Sequence, residues 1–443
     1  MTLINIEQST SEIYSSNAGV LLVGQCVNKY SELESVCSTL PPGGEISNAD
    51  MLRTYIGVLA QGKSDFEAVE NVRENRAFNM SMQIKKPISS SRLRQRFDEN
   101  ATTLIENIII PCNINFLRNS KAPISKIYTG HVVMNFDASP FNNSKTKKEH
   151  VSWTYKGFHG YNPMFCYLGE EGWCIAAELH PGSWNGQNAF CYTLERAHTI
   201  ARLLTTQPLL VELDSQHDAL ENMVQIYDQE NDFIIKWNKR KEDVHKWLKY
   251  SKDIGHLCVW ENERPGKRVG LFTVYIEKLY DGKLYCFRRV MRVTEETISS
   301  DGQVLLVPEV EVEGWWTTLE LPESEVIGLY KEHATSEQYH SEFKTDMDLE
   351  RLPSGKFNTN DLVLNCGMLT YNILKYIGLA GLVGNESPIR HPAKRRRVKT
   401  VMQELIYVAA RLIEKGRQVW LRFSMDYCGF NAFNKVYERL VYG

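Results

Sequence analysis

Val132-Val133-Met134-Asn135-Phe136-Asp137 is an apolar stretch that predicts a β-strand ending at a carboxylate. A second stretch of the same kind, Leu209-Leu210-Val211-Glu212-Leu213, stops at Asp214. Between them the sequence predicts a hairpin with arms at 164–168 and 173–179, and then a helix around 189–205. Another helix and a strand at 233–235 follow. This order predicts a mixed α/β sheet in which the first strand lies beside the fourth.

The residues after this unit change character. Residues 238–320 are rich in lysine and then predict a hairpin around an Asp281-Gly282 turn, with arms at 269–278 and 283–293. We therefore expect a β-rich insertion that interrupts the α/β unit. A helix is predicted from about 323 to 346, and the remainder is predicted to be mostly helical, with one helix reaching Lys415 before a stop at Gly416.

The N-terminal part predicts a block of short helices at 47–108. Its last helix follows Pro87, begins at a run of serines, and places Arg92 and Arg96 one turn apart on the face opposite its apolar side. Three short helices with a basic last one are typical of a DNA-binding helical domain. The alternative is a solvated helix face without a ligand.

Composition sets the outer limits on function. The chain has 443 residues, of which 43% are hydrophobic and 24% charged, which favours a globular protein of about three domains over a disordered or fibrous one. None of its ten cysteines shows the two-residue spacing of a zinc knuckle or redox pair. A net charge of −3 gives no global attraction to nucleic acid, so DNA contacts must come from local basic clusters. Without a long apolar run or a signal-like start, the chain is expected to be soluble and unsecreted.

The two strand-end aspartates are the strongest candidates for chemistry. Asp137 and Asp214 end strands that are neighbours in the predicted sheet, and ligands of open α/β sheets bind at such strand ends. Two carboxylates there can hold hard divalent cations. The alternative for Asp214 is a turn or helix cap, because a helix follows it.

A polar stripe on the helix predicted at 323–346 provides further candidates. Tyr330, His333, Glu337 and Lys344 lie within about 60° of arc on an ideal helix. Such a stripe is often only a solvated face. Combined with the two aspartates, it could supply a third metal ligand and phosphate contacts.

These residues resemble the Asp-Asp-Glu triad and the Tyr-Arg-Glu-Lys signature of DDE insertion-sequence transposases. The sequence is similar to that of insertion-sequence family thirteen-eighty over most of the chain. The similar stretches are Asn-Phe-Asp-Ala-Ser at 135–139, Tyr-Lys-Gly-Phe-His-Gly-Tyr-Asn-Pro at 155–163, Glu-Leu-His-Pro-Gly at 178–182, Leu-Asp-Ser-Gln-His-Asp-Ala at 213–219 and Arg-Leu-Pro at 351–353. The resemblance departs at His333, where the signature has arginine.

The resemblance implies a specific set of site residues. Asp137, Asp214 and Glu337 would be catalytic and would hold Mg²⁺, with Mn²⁺ as a substitute. Tyr330, His333 and Lys344 would contact DNA, in addition to the contacts expected from Arg92 and Arg96. His217 matches an aspartate, two residues, histidine pattern of several DDE groups and would either orient Asp214 or serve packing. Trp260, Trp315 and Trp316 are candidates to hold a flipped base, or are core residues.

The resemblance also implies an architecture and an activity. We expect an RNase H-like core at 126–237 and 321–380, interrupted by the insertion at 238–320 and flanked by an N-terminal DNA-end-binding domain at 1–125 and a C-terminal region at 381–443. The implied function is a bacterial, cytoplasmic, nucleoid-associated transposase. It would bind terminal inverted repeats as a homodimer on double-stranded DNA, cleave them and join them to target DNA, with no membrane partner. The alternatives are a catalytically silent DNA-binding regulator and a plain metal-dependent nuclease.

Overall fold

Strands occur near both ends of the chain and in its central part. The computed structural model describes residues 4–41, 43–184, 190–332 and 336–443. The strands are β1 (Ile13–Ser15), β2 (Val132–Ala138), β3 (Phe141–Asn142), β4 (Ser152–Trp153), β5 (His159–Tyr161), β6 (Met164–Leu168), β7 (Trp173–Glu178), β8 (Leu209–Leu213), β9 (Asp232–Lys236), β10 (Val259–Arg264), β11 (Lys267–Tyr280), β12 (Lys283–Ile298), β13 (Val304–Thr317), β14 (Ala410–Lys415) and β15 (Gln418–Phe423).

Helices form the N-terminal part and cover the sheet. They are α1 (Val20–Tyr30), α2 (Leu33–Cys37), α3 (Asn48–Leu59), α4 (Glu70–Arg73), α5 (Arg76–Ser81), α6 (Ser90–Leu104), α7 (Ile110–Asn119), α8 (Phe190–Leu204), α9 (Leu220–Asp228), α10 (Val244–Asp253), α11 (Glu323–Glu332), α12 (Ser336–Ser341), α13 (Phe357–Leu382), α14 (Val398–Val401) and α15 (Phe430–Val441).

A large mixed sheet dominates the fold, with strand order β10-β11-β12-β13-β9-β8-β2-β6-β7. Strand β2 pairs parallel with β8 and antiparallel with β6, so the predicted neighbourhood of the first and fourth strands is confirmed. Every residue of β8 is buried, which is what a strand in the middle of a sheet covered on both faces requires. The fold is therefore mixed α/β with helical regions, as the sequence predicts.

The lysine-rich region does not form a sheet of its own. Its long hairpin turns at Asp281 and Gly282, whose φ values of 45° and 78° suit a tight two-residue turn. Strand β13 then pairs with β9 at Trp315–Thr317, so β10–β13 extend the central sheet. The β-rich segment and the α/β unit thus share one continuous hydrogen-bonded sheet.

Helix α13 is the centre of the helical side. It packs against β7 and against α3, α6, α7 and α15. By length and composition it could cross a membrane, but 94% of its most apolar window is buried inside the protein, as in the core helix of a soluble protein. Since α3, α6 and α7 all rest on α13, which packs on β7, the N-terminal helices share their core with the central sheet.

The C-terminal region differs from the prediction of a helix reaching Lys415. Residues 410–415 form β14, which pairs with β15 through a turn at Gly416 and Arg417, and with β1 near the N-terminus. Both turn residues have φ near 60°, which a helix cannot continue through. The predicted helix is wrong because its apolar residues also fit a strand, and the partner strand β1 is distant in sequence.

The predicted exposed pair Arg92 and Arg96 is divided by the structure. Helix α6 begins as predicted, with Ser89 accepting from the backbone of Arg92. Arg92 is exposed, whereas Arg96 is only 4% exposed and donates to the Ile46 carbonyl at 2.7 Å and to the Asn48 side chain. Arg96 therefore does not lie on an exposed face, because its guanidinium ties α6 to the start of α3, and its predicted DNA contact stays a prediction.

Arg96→Ala should lower the free energy of unfolding by about 2–4 kcal/mol, because it removes charge-assisted hydrogen bonds and leaves the Ile46 carbonyl unpaired. Arg92→Ala on the same helix is the matched control and should change it by less than about 0.5 kcal/mol. Urea denaturation measures both. Equal effects of the two variants would contradict the structural role of Arg96.

Candidate active site

Pairing of β2 with β8 brings the two predicted aspartates to the same level of the sheet. Asn135 lies opposite Glu212 in the parallel ladder, and continuing that register by two residues sets Asp137 beside Asp214. Side chains alternate between the two faces of a sheet, and residues level with each other on adjacent strands share a face. Both carboxylates therefore point to the same side. Both line one cavity of about 700 Å³.

The Asp214 carboxylate is held by the turn that follows β8. Its Oδ1 accepts from the backbone N–H of Gln216 at 3.0 Å and lies 2.7 Å from His217 Nδ1. His217 is fully buried and packs against the ring of Phe190. The Asp214 carboxylate therefore both stabilises the turn and lines the cavity, and His217 fixes its orientation.

The Asp137 carboxylate is held by a histidine that sequence reasoning missed. His340 Nε2 lies 2.8 Å from Asp137 Oδ2, and its Nδ1 lies 3.2 Å from the Tyr167 hydroxyl. His340 is 5% exposed, so this chain of hydrogen bonds is almost entirely buried. Its position three residues after Glu337 on one helix face was the available signal.

The segment that carries the predicted stripe is described in two parts. The structure describes α11 up to Glu332 and α12 from Ser336, and His333 lies outside the described residues. Residues 342–346 then form a π-helical turn. The predicted helix thus ends in a π-helical turn, and Tyr330, Glu337 and Lys344 all line the same cavity as the two aspartates.

Tyr330 stands on one wall of the cavity as a hydrogen-bond donor. Burial, together with the charges of Asp214 and Asp137, raises the pKa of its phenol well above its usual value, so the hydroxyl keeps its proton. Trp315 packs beside it with ring centroids 6.2 Å apart. Lys236 lies 4.0 Å from the Trp315 ring and pairs with Glu313 at 2.5 Å.

Lys344 is a cation placed where its charge is costly. Burial lowers the pKa of its ammonium group to about 8 against the nearby charge of Glu350, while Lys156 lowers it further. A negatively charged ligand in the cavity would favour the charged form and raise this pKa. The exposed lysines Lys156 and Lys331, which sequence reasoning did not single out, line the outer part of the same cavity.

The basic run at 394–397 anchors the segment that follows Glu337. Arg395 pairs with Glu342, a carboxylate only 1% exposed, at 2.5 Å. Arg397 pairs with Asp346 at 2.7 Å. These two guanidiniums are therefore used inside the protein and hold the π-helical turn that carries Lys344.

The donor set fits a hard divalent cation in its chemistry. Asp137, Asp214 and Glu337 present carboxylate oxygens to one cavity, and each aspartate is oriented by a histidine, an arrangement typical of carboxylates that hold metals. Within the described ranges, no three His, Cys, Asp or Glu side chains are close enough to surround one ion. Glu337 is exposed in the first turn of α12, close in sequence to residues 333–335, which lie outside the described ranges.

Lys344→Met should raise the free energy of unfolding at pH 7 by up to about 3 kcal/mol, because burial disfavours the charged lysine. The folded pKa of about 8 lies below the exposed value of 10.5, so the unfolded chain binds more protons between these pH values. Wild-type stability therefore rises with pH in that window, and the advantage of the variant shrinks. Urea denaturation from pH 6 to 10 measures the difference between the two proteins.

The control for Lys344→Met is Lys331→Met, an exposed lysine of the same cavity. It should change the free energy of unfolding by less than about 0.5 kcal/mol at every pH. A Lys344→Met advantage that stays constant up to pH 10 would contradict the depressed pKa.

Comparison with known proteins assigns the chain to a family. The family model described as transposase DDE domain group 1 matches residues 7–442. No curated protein matches the sequence significantly. The cryo-EM structure of a piggyBac transposase synaptic complex with hairpin DNA is similar with a TM-score of 0.39 and 8% identity, covering 82% of this chain and 77% of that chain, which is too weak to indicate function. The match over nearly the whole sequence confirms the coarse resemblance, and the chain belongs to the transposase DDE domain group 1 family.

Proposed function

We propose that the protein is an insertion-sequence transposase of family thirteen-eighty, which binds terminal inverted repeats, cleaves the ends and joins them to target DNA. The observation that carries the proposal is the cavity where Asp137 and Asp214, level on adjacent parallel strands, meet Glu337, Tyr330 and Lys344. The chain's membership of a DDE transposase family supports it. The sheet segment around β2, β6, β7, β8 and β9 would be the RNase H-like core.

The carboxylates would hold the metal ions of the reaction. DDE transposases generally use divalent metal ions, and Asp137, Asp214 and Glu337 are the ligands we assign to Mg²⁺, with Mn²⁺ as a substitute. Two such ions supply activation of the attacking water or 3′-hydroxyl and stabilisation of the leaving oxygen. His217 and His340 keep the two aspartates turned toward the cavity, each through one carboxylate oxygen.

The remaining cavity residues would hold the DNA backbone. Tyr330 keeps its proton and can donate to a phosphate oxygen, and an approaching phosphate would stabilise the charged form of Lys344. His333 occupies the signature position of arginine and would contribute a hydrogen bond, with a charge that depends on pH. Lys156 and Lys331 at the outer edge extend the phosphate path away from the carboxylates.

End recognition is assigned to the N-terminal helices, within residues 1–125. Arg92 is exposed there, and Arg94 is exposed beside it, pairing with Glu67 at 3.4 Å. These helices rest on α13, so we assign recognition to a region of the whole protein and not to a separable fragment. The domain divisions at 126–237, 238–320, 321–380 and 381–443 remain part of the proposal.

The proposal includes a homodimer on double-stranded DNA, because two ends must be processed together, in the bacterial cytoplasm at the nucleoid. The rival function is a catalytically silent DNA-binding regulator. The presence of all three carboxylates, two of them oriented by buried histidines, favours the enzyme. A nuclease without strand transfer is separated from a transposase by its products: free ends alone, or ends joined to a target.

Asp137→Asn, Asp214→Asn and Glu337→Gln should each reduce end cleavage by more than about 100-fold, because losing a metal ligand costs more than losing an orienting partner. Binding of end DNA should stay within a few fold, because affinity depends mainly on phosphate contacts elsewhere. His340→Gln, which alters only the support of Asp137, should show a smaller loss of about 10–100-fold. Cleavage of labelled end DNA with Mg²⁺ measures all four.

The matched control for Glu337→Gln is Glu332→Gln, an exposed glutamate five positions earlier that does not line the cavity. It should cleave like wild type. A Glu337→Gln protein with wild-type cleavage would remove that residue from the metal site. Cleavage retained by all three carboxylate variants would overturn the two-metal proposal.

Arg92→Ala should lower the slope of log affinity against log salt for end DNA by about one unit, because one phosphate contact is lost. Lys435→Ala, an exposed lysine on α15, removes the same charge outside α6 and should leave the slope unchanged. Gel-shift titrations across salt concentrations measure both. Identical slopes for the two variants would return Arg92 to the solvated-face alternative.

A further inference from the structure

A buried arginine lies on the face of the sheet opposite the catalytic cavity. Arg289 is on β12 directly opposite Trp316 of β13. Adjacent strand residues point to opposite faces, so Trp315 faces the catalytic cavity while Trp316 and Arg289 face away from it. Arg289 is 4% exposed, which is rare for an arginine without a carboxylate partner.

Three tryptophans surround the guanidinium of Arg289. Its central carbon lies 4.4 Å from the Trp237 ring, 4.8 Å from the Trp247 ring and 4.8 Å from the Trp316 ring. Its Nε is buried without a hydrogen-bond acceptor. We call this arrangement the Arg289 cage.

The two nearby carboxylates accept hydrogen bonds from other donors. Asp218 accepts from the backbone N–H of Asn238 at 2.8 Å, and Glu242 accepts from the Trp247 indole at 2.9 Å. Burial lowers the pKa of Arg289, against the attraction of Glu242 and Asp218. The guanidinium nevertheless stays charged at any working pH, so its hydrogen-bonding capacity remains to be met by a ligand.

The cage lines a cavity of about 440 Å³ whose outer edge is basic. Exposed Arg240, Lys246 and Lys278 also line it. Together with Arg289 they give four cations against the two carboxylates Asp218 and Glu242. A buried planar guanidinium behind exposed basic side chains is suited to a phosphate group, which guanidinium can bind through two parallel hydrogen bonds.

We propose that the Arg289 cage is a phosphate-binding site, distinct from the catalytic cavity, and that a DNA backbone phosphate is its ligand. The aromatic rings cover part of the guanidinium and bury its Nε, and this lower local dielectric strengthens its attraction for an anion. A bound phosphate oxygen would satisfy the Nε donor that the protein leaves unpaired. A free phosphate presents the same chemistry, so the two sources are separated by experiment. Phosphate binding here does not depend on the metal ligands.

The experiment uses full-length protein without metal and monitors tryptophan fluorescence. Inorganic phosphate at constant ionic strength should change the emission saturably, because three tryptophans contact the binding arginine. Arg289→Lys keeps a charge but loses the fork, and should weaken phosphate binding about tenfold or more. Lys246→Ala with Lys278→Ala removes two exposed cations of the edge and should weaken it several-fold without endangering the fold.

The matched control is Lys239→Ala with Lys249→Ala, two exposed lysines of the same region that do not line the cavity. It should bind phosphate like wild type. A response that does not saturate, or one equally weakened in the control and edge variants, would overturn the proposal. If Arg289→Lys fails to fold, the comparison of edge and control variants decides the matter.

A DNA arm identifies the source of the phosphate. Short duplex DNA should displace inorganic phosphate from the wild-type cage, and its own affinity should fall more in the edge variant than in the control. Phosphate that stays bound at saturating DNA would overturn the backbone assignment and identify a free phosphate as the ligand. Asp137→Asn should bind phosphate at the cage normally, which separates this test from that of the proposed cleavage.

Discussion

The parallel pairing of β2 with β8 is the constraint on which the rest of the site depends, because it fixes two carboxylates side by side. Like charges at that separation repel, and each is costly to remove from water. The protein limits this cost by giving each aspartate one histidine, His217 or His340, and by leaving both carboxylates facing a cavity. The same arrangement leaves a strong attraction for cations at the strand ends.

The segment that carries Lys344 is held near the strand ends by ion pairs with arginines about fifty residues further along the chain. Arg395 and Arg397 bind Glu342 and Asp346, which fixes the turn after α12. A buried pair of this kind stabilises little by itself, but removing one partner strands the other charge. Its effect is therefore positional: it keeps Lys344 at the cavity, while Glu337 lies in the exposed first turn of α12.

Local signals predicted much of this fold, and distant partners account for what they missed. The Asp281-Gly282 hairpin, the Ser89 cap and the strand-end aspartates each depend on a few neighbouring residues. The burial of Arg96 depends on Ile46 and Asn48, fifty residues away, and the strand at 410–415 depends on β1 at the other end of the chain. His340 follows Glu337 by three residues, but its partner Asp137 lies 203 positions earlier, so the sequence did not indicate their contact.

Trp315 and Trp316 are adjacent on β13 and line the two cavities, on opposite faces of the sheet, for which we propose anionic ligands. Trp315 packs against Tyr330 in the catalytic cavity, and Trp316 forms one side of the Arg289 cage. In both places a cation is held in aromatic surroundings, Lys236 on one face and Arg289 on the other. Lys236 is neutralised by Glu313, whereas Arg289 has no such partner among the described residues. A fold selected for stability alone would pair both cations, so the unpaired one is the better indication of a ligand.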